Sequence, residues 1–330
     1  MLLQRRQWLA MAAGVWLLPQ ALAWHEQRVL FGSPADLLVP EGTPASVTAA
    51  VWRGLQRMNQ TLNAWKPGEV TALNQAIAAG RSATVSPQLA GLLRGAAAME
   101  ALSMGCFNAG IGGLVRQWGF HDDVMRPGSR PRSAELAHWL EVPPSLAQLE
   151  WRGRQLRSRN PHLQLDFGGY AKGVALDWAL DRLRLAGIED ALVNLGGNLA
   201  AMGRAGERPW RVGIRDPQGP GLVAQLRTHG REAVVTSGSY ERFRVLDGER
   251  FTHILDPRLG APAPELVSVT VVHRCAALAD AAATALLVAG AARWPQVAER
   301  MGVDDVLVID RHGRQARTHS MAARLDAPAA

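Results

Sequence analysis

Two adjoining runs near the C-terminus constrain the fold more than any other stretch. VSVTVV at 267–272 alternates and is rich in β-branched residues, which predicts a strand. The apolar run at 276–292 follows almost at once, with too few polar residues to face water, so it predicts a core helix. Just upstream, HILDPRLG at 253–260 reads as a strand broken by a turn, because Pro257 removes a backbone donor and Gly260 permits a positive φ. Among the polar residues of the helix, Asp280 and Thr284 are spaced i, i+4 and share one face. A carboxylate and a hydroxyl placed so suit a hard cation such as Mg²⁺. An exposed Asp and a Thr bonding back to a helix carbonyl would show the same spacing. His253, Asp256, Thr270 and His273 fall in the same span.

Upstream, Thr43-Pro44 offers an N-cap and an N1 proline to a helix marked by Val47, Val51, Leu55, Met58 and Leu62, which ends before Lys66-Pro67-Gly68. Residues 85–104 carry a second helical pattern, and 121–160 read as surface loops with a short helix. LQLDFGGYAKG at 163–173 predicts a strand, a glycine turn and a helix running to about residue 186, with Gly187 as its stop. A glycine turn feeding a helix N-terminus presents free N–H groups to an anion, and Lys172 in the first turn adds a positive charge there. ALVNLGGNLAAMG at 191–203 predicts a hairpin, for which glycines alone would be reason enough. AVVTSGSYERF at 233–243 follows a strand with a Ser/Gly-rich bend that either binds phosphate or simply turns. No G-x-S-x-G elbow supports a serine hydrolase. Strands interspersed with long helices, and antiparallel-looking pairs near the C-terminus, give an α+β fold class.

Charge and targeting narrow the partners. The formal charge is +7, yet acidic residues are spread throughout and no basic cluster interleaves with aromatics, so nucleic acid is not expected. Only Lys66 and Lys172 are lysines among 36 basic residues, so each retained ammonium invites a functional reading. At the N-terminus, Arg5-Arg6 precede an apolar run ending in Ala21-Leu22-Ala23, the pattern of a cleaved export signal over residues 1–23, of Tat type. Its removal subtracts two arginines and no acid, leaving +5, and no cysteine near the cleavage point suggests a lipoprotein. A soluble periplasmic enzyme spanning 24–330 is expected. Cys106 and Cys275, the two cysteines, allow a bridge or two buried thiols, and without a histidine at ligand spacing they make no zinc site.

LDFGGYAKG (165–173), VNLGGNL (193–199), TSGSYERF (236–243), HILDPRLG (253–260) and ADAAATA (279–285) occur in this order, after GCFNAGIGGLVRQWGF at 105–120. Together they resemble the ApbE family, the FAD:protein FMN transferases, from about residue 31 to 307. The resemblance implies largely antiparallel mixed sheets flanked by helices, in two closely packed lobes with FAD in the cleft between them. It implies FAD as substrate, Mg²⁺ as cofactor, and transfer of FMN to a Thr or Ser of a target flavoprotein, a membrane respiratory subunit for instance, with loss of AMP. Carried over residue by residue, it makes Gly169 (through its carbonyl), Asp280 and Thr284 metal ligands. His253 becomes the base, with Asp280 beside it in the catalytic set. Phe31, Trp65, Cys106, Phe107, Asn108, Asp166, Lys172, His253 and Ile254 become FAD contacts. Phe31-Gly32-Ser33 stands where the family carries a Met-Gly-Thr-like signature, Trp65 where it often has Tyr, and Asn108 lacks the negative charge of many relatives. Gly110 and Gly113 replace a common Thr and the usual Pro. A Mg²⁺-dependent FAD pyrophosphatase, a flavin-binding protein without turnover and an assembly factor for a respiratory complex are the rival readings.

Overall fold

The computed structural model describes residues 15–17, 23–122 and 124–326. Eight strands build the central sheet: β1 Ala23–Leu30, β2 Ser33–Pro40, β3 Ala191–Leu195, β4 Asn198–Met202, β5 Glu232–Gly238, β6 Leu266–His273, β7 Asp305–Asp310 and β8 Gln315–Arg317. They lie in chain order, each antiparallel to the next, so the sheet is a meander whose connections swell into helical insertions. The largest insertion, between β2 and β3, holds helices α1 Ala45–Thr61, α2 Glu69–Ala78, α3 Pro87–Leu102, α4 Gly112–Gln117, α5 Ser133–Glu141 and α6 Ala171–Leu185. Helix α7, Ala276–Met301, joins β6 to β7, and α8, His319–Arg324, ends the chain.

The period-2 alternation read in the sequence sorts both faces of the sheet. Leu37, Val39, Val193, Val235, Val269, Val271, Val306 and Val308 point to the helical side and pack on α1, α3, α6 and α7. Their alternates Leu38, Leu192, Leu199, Val234, Val272 and Leu307 meet Trp210, Val212, Ile214 and Met321 on the other side. Each fully buried side chain contributes about 1.5–3 kcal/mol, so neither layer is dispensable. Although α7 is long and apolar enough to cross a membrane, it is mostly buried in this core.

Several local expectations change. Thr43 does not cap α1; its hydroxyl donates to the Pro40 carbonyl, and the helix starts at Ala45. Residues 163–166 are extended but make only an isolated bridge from Gln164 to Ile111 rather than a strand. α7 runs beyond residue 292 to Met301, breaking at Gly290 (φ 77°), where Glu265 accepts the Ala291 N–H at 2.8 Å and so caps the second half. α2 was not foreseen. Of the expected export segment, only Val15–Leu17 and Ala23 are described; Val15–Leu17 lies antiparallel to Arg211–Arg215, and the remainder falls outside the described residues. Both cysteines are free thiols.

Candidate active site

Helices α6 and α7 touch closely because Gly173 has no side chain: a Cβ there would lie 2.3 Å from the Ala276 carbonyl oxygen. Asp177 on α6 fastens the contact by accepting the N–H groups of Ala276 and Ala277 at 3.0 and 2.9 Å, capping α7 from outside. One turn further on, Asp280 is 2 % exposed. Its Oδ2 accepts the Gly173 N–H at 2.9 Å, and its Oδ1 accepts the Asn198 side-chain amide at 3.0 Å. Gly173 is the third residue of α6, where an N–H has no carbonyl partner within the helix, and Asp280 supplies one.

Thr284 completes the group. A Cβ on Gly169 would stand 2.8 Å from its Oγ1, so the glycine backbone and the hydroxyl are direct neighbours, and Ser237 of β5 lies 3.1 Å from the same oxygen. A carboxylate, a hydroxyl and the Gly169 backbone therefore gather where α6 begins. Burial pushes the Asp280 carboxyl up from its ordinary value, and Lys172, Gly173 and Asn198 pull it back. Each Asp280 oxygen has accepted one donor, and each keeps acceptor capacity for a second. Such an oxygen-only set fits Mg²⁺, which takes one or two protein carboxylates and completes its shell with water and phosphate. No cluster of three His, Cys, Asp or Glu side chains forms an alternative metal centre among the described residues.

His253 follows the short strand Glu249–Thr252, and its Nδ1 lies 2.9 Å from the Arg242 carbonyl. A carbonyl only accepts, so Nδ1 carries the proton and Nε2 keeps its lone pair. Burial above all lowers the imidazole to about 4, with the charges of Arg242 and Lys172 adding to the effect against the carbonyl contact, so the ring is neutral near pH 7. Lys172 thus acts electrostatically on both His253 and Asp280. Asp256 bonds the N–H and guanidinium of Arg258, capping its own turn.

The second half of the site is assembled differently. Phe31 and Gly32 form the β1–β2 turn with φ of 52° and 71°; a phenylalanine held there is strained, and its N–H is anchored on Asn59 at 3.0 Å. The Trp65 indole donates to Asp166, whose other recorded donor is the Gly168 N–H at 2.7 Å, and burial raises that carboxyl. Arg116 lies over the Trp65 ring at 5.6 Å and His121 beside it at 5.7 Å. Cys106, Phe107 and Ile254, by contrast, are 1 %, 3 % and 7 % exposed and belong to the core. Asn108 spends its side chain on the Pro144 carbonyl and the Gly110 N–H, both at 2.7 Å. What these four offer a ligand is backbone and shape.

Three neighbours were not among the predicted site residues, although Ser237 and Arg242 fall in the 233–243 stretch read either as a phosphate binder or as a turn. Arg242 donates to the carbonyls of Phe120 and Asp122 at 2.7 and 2.6 Å, tying the end of the 105–120 motif to His253. Asn198 and Ser237 orient Asp280 and Thr284. All three sit inside quoted motifs, but nothing local distinguishes a side chain that steadies a ligand from one that makes a turn.

Comparison with known proteins bears on family and fold. The ApbE family model matches residues 31–307. A Rhodobacter capsulatus protein named FAD:protein FMN transferase is 44% identical over 289 residues, covering 88% of this chain and 55% of the relative, so the chain spans about half of that protein. A Vibrio cholerae protein of the same name is 32% identical over 78% of this chain and 77% of its own length. The crystal structure of the ApbE protein from Thermotoga maritima superposes with a TM-score of 0.83 at 26% identity, covering 92% of this chain and 99% of the other. With the family model spanning most of its length, the chain belongs to the ApbE family.

Proposed function

We propose that this protein is an exported, Mg²⁺-dependent FAD:protein FMN transferase that joins FMN by a phosphoester to a Thr or Ser hydroxyl of a target flavoprotein and releases AMP. The observation that carries the reading is the gathering of Asp280, Thr284 and the Gly169 backbone beside Lys172 and a neutral His253. Phosphoryl transfer asks for positioning and charge neutralisation more than for covalent help. Asp280, Thr284 and Gly169 would hold the ion, which when bound supplies positive charge against the phosphates. Lys172 adds a second cation at the α6 N-terminus, where N–H groups already favour an anion. His253 Nε2 takes the proton of the acceptor hydroxyl. An arriving pyrophosphate raises its pKa by offsetting the charges of Arg242 and Lys172. Trp65, fixed by Asp166, offers an aromatic face for the isoalloxazine, and the Phe31 turn supplies a second apolar wall.

The test is to incubate the protein with FAD, Mg²⁺ and a candidate acceptor domain. Acceptor that stays yellow after denaturation, with stoichiometric AMP, supports transfer. Free FMN and AMP alone would make the protein a hydrolase, and intact bound FAD would leave it a binding protein.

A further inference from the structure

A small sheet outside the residues assigned to the transfer reaction carries more arginine than its one acid, Glu150 opposite Arg157, can neutralise. The hairpin of Leu149–Arg152 and Gln155–Ser158, widened by Ala83–Thr84, forms a small three-stranded sheet. Its register pairs Trp151 with Leu156 and Leu149 with Ser158; Leu156 and Ser158 are buried, so these four face inward. Glu150, Arg152, Gln155 and Arg157 therefore face outward, and all four are exposed. Arg154 at the turn and Arg159 just past the second strand extend the face, with Arg81 exposed just before Ala83. Glu150, the one acid on this sheet, sits 3.6 Å from Arg159. Arg152 and Arg157 have no ion pair among the described residues. The inward Trp151 lies under Arg94 at 4.7 Å, which braces the sheet from behind.

We infer that this face docks the protein reversibly onto an anionic phospholipid surface. The outward side chains share one face of a short sheet and are mostly of one sign, so charge is what this face offers a partner. Guanidinium groups bond phosphate oxygens through paired N–H donors, which suits headgroup phosphates. Val142, 54 % exposed, lies alongside: its carbonyl accepts the side-chain amide of Asn160, the residue after Arg159. Arginines flanked by an exposed aliphatic side chain match the boundary between headgroups and acyl chains. Such adhesion weakens as salt screens it.

Sedimentation of the whole protein with vesicles tests this. Phosphatidylcholine vesicles containing phosphatidylglycerol are expected to pull it down at low salt, and pure phosphatidylcholine is not. The triple variant R152Q/R157Q/R159Q should lose roughly 100-fold in partition coefficient, at about fivefold per arginine. Its melting temperature and FMN transfer to a soluble acceptor should stay unchanged, which separates docking from folding and from the reaction. Equal sedimentation with both vesicle types, or undiminished binding by the triple variant, would overturn the proposal. So would retention on polyglutamate or DNA without retention on the anionic vesicles, which would assign the face to a macromolecular polyanion.

Discussion

The proposed phosphate side of the site and the proposed flavin side are held by different means. On the first, Gly173, Asp280 and Thr284 lie on two packed helices with Gly169 in the turn just before one of them, and Asp280 and Thr284 are each placed by a hydrogen bond or close contact. On the second, Phe31 sits on a strained hairpin turn, Trp65 lies just beyond a helix, and Cys106 and Phe107 are sunk in the core. A rigid helical pair suits chemistry that fails with an ångström of slack. A wall of turns and loop ends suits a large planar ligand, whose binding tolerates small adjustments. Substitutions on the first side should therefore act on turnover, and those on the second on affinity.

The largest expected effect is at Asp280. Asp280→Asn keeps the shape and an acceptor for the Gly173 N–H but removes the charge, so turnover should fall about 10³-fold, roughly 4 kcal/mol of barrier. The melting temperature should change little, because removing a buried charge is offset by setting an amide donor against the Asn198 amide. An active variant, or one that melts well below the parent, would dissolve the contrast between the two sides. EDTA should abolish turnover of the parent while leaving its fold intact, and Mg²⁺ should restore it.

His253→Gln should cost about 10²–10³-fold in kcat, the usual share of a positioned base, with KM for FAD little changed. Titration sharpens the point. With a folded pKa of about 4 against an ordinary 6.5, the unfolded chain takes up this proton more readily. The stability that His253 contributes is complete above pH 6.5 and is lost as pH falls toward 4. The parent's kcat/KM should show no histidine limb between pH 6 and 8. A limb near 6.5 that vanishes in His253→Gln would show the imidazole to be solvated and not set by its surroundings.

Trp65→Ala tests the other side. Loss of one aromatic face should raise KM for FAD about tenfold and leave kcat within twofold. A drop in kcat larger than the rise in KM would mean that Trp65 also aligns the phosphates.

The same division decided what could be read from the chain. Asp280 and Thr284 are paired by helical period alone, and the strand before them by alternation, so the α7 face and the antiparallel sheet were legible. The β3–β4 turn was legible because Gly196 and Gly197 both take positive φ. What could not be read depends on contacts distant in sequence. The bond from the Gly173 N–H to Asp280 spans 107 residues, the Asn198 bond 82, and the Arg242 bond to Phe120 spans 122. The arginine face was missed for a related reason: along the chain its residues are merely frequent, and the strand register turns them outward together.

The smallest expected effect separates core from contact on the flavin side. Cys106 is buried among apolar neighbours, and burial raises its thiol above the ordinary value, so it is neither a nucleophile nor exposed to a ligand. Cys106→Ser places a hydroxyl there without an evident partner and should cost about 1–2 kcal/mol of stability. If the residue serves the flavin only through backbone and shape, KM for FAD will match the parent at a temperature where both proteins are folded. A several-fold change in KM with no loss of stability would instead put the sulfur atom against the ligand, and the flavin would then reach deeper than the Trp65 wall allows. The comparison with Trp65→Ala is direct, since one residue should move affinity and the other stability without affinity.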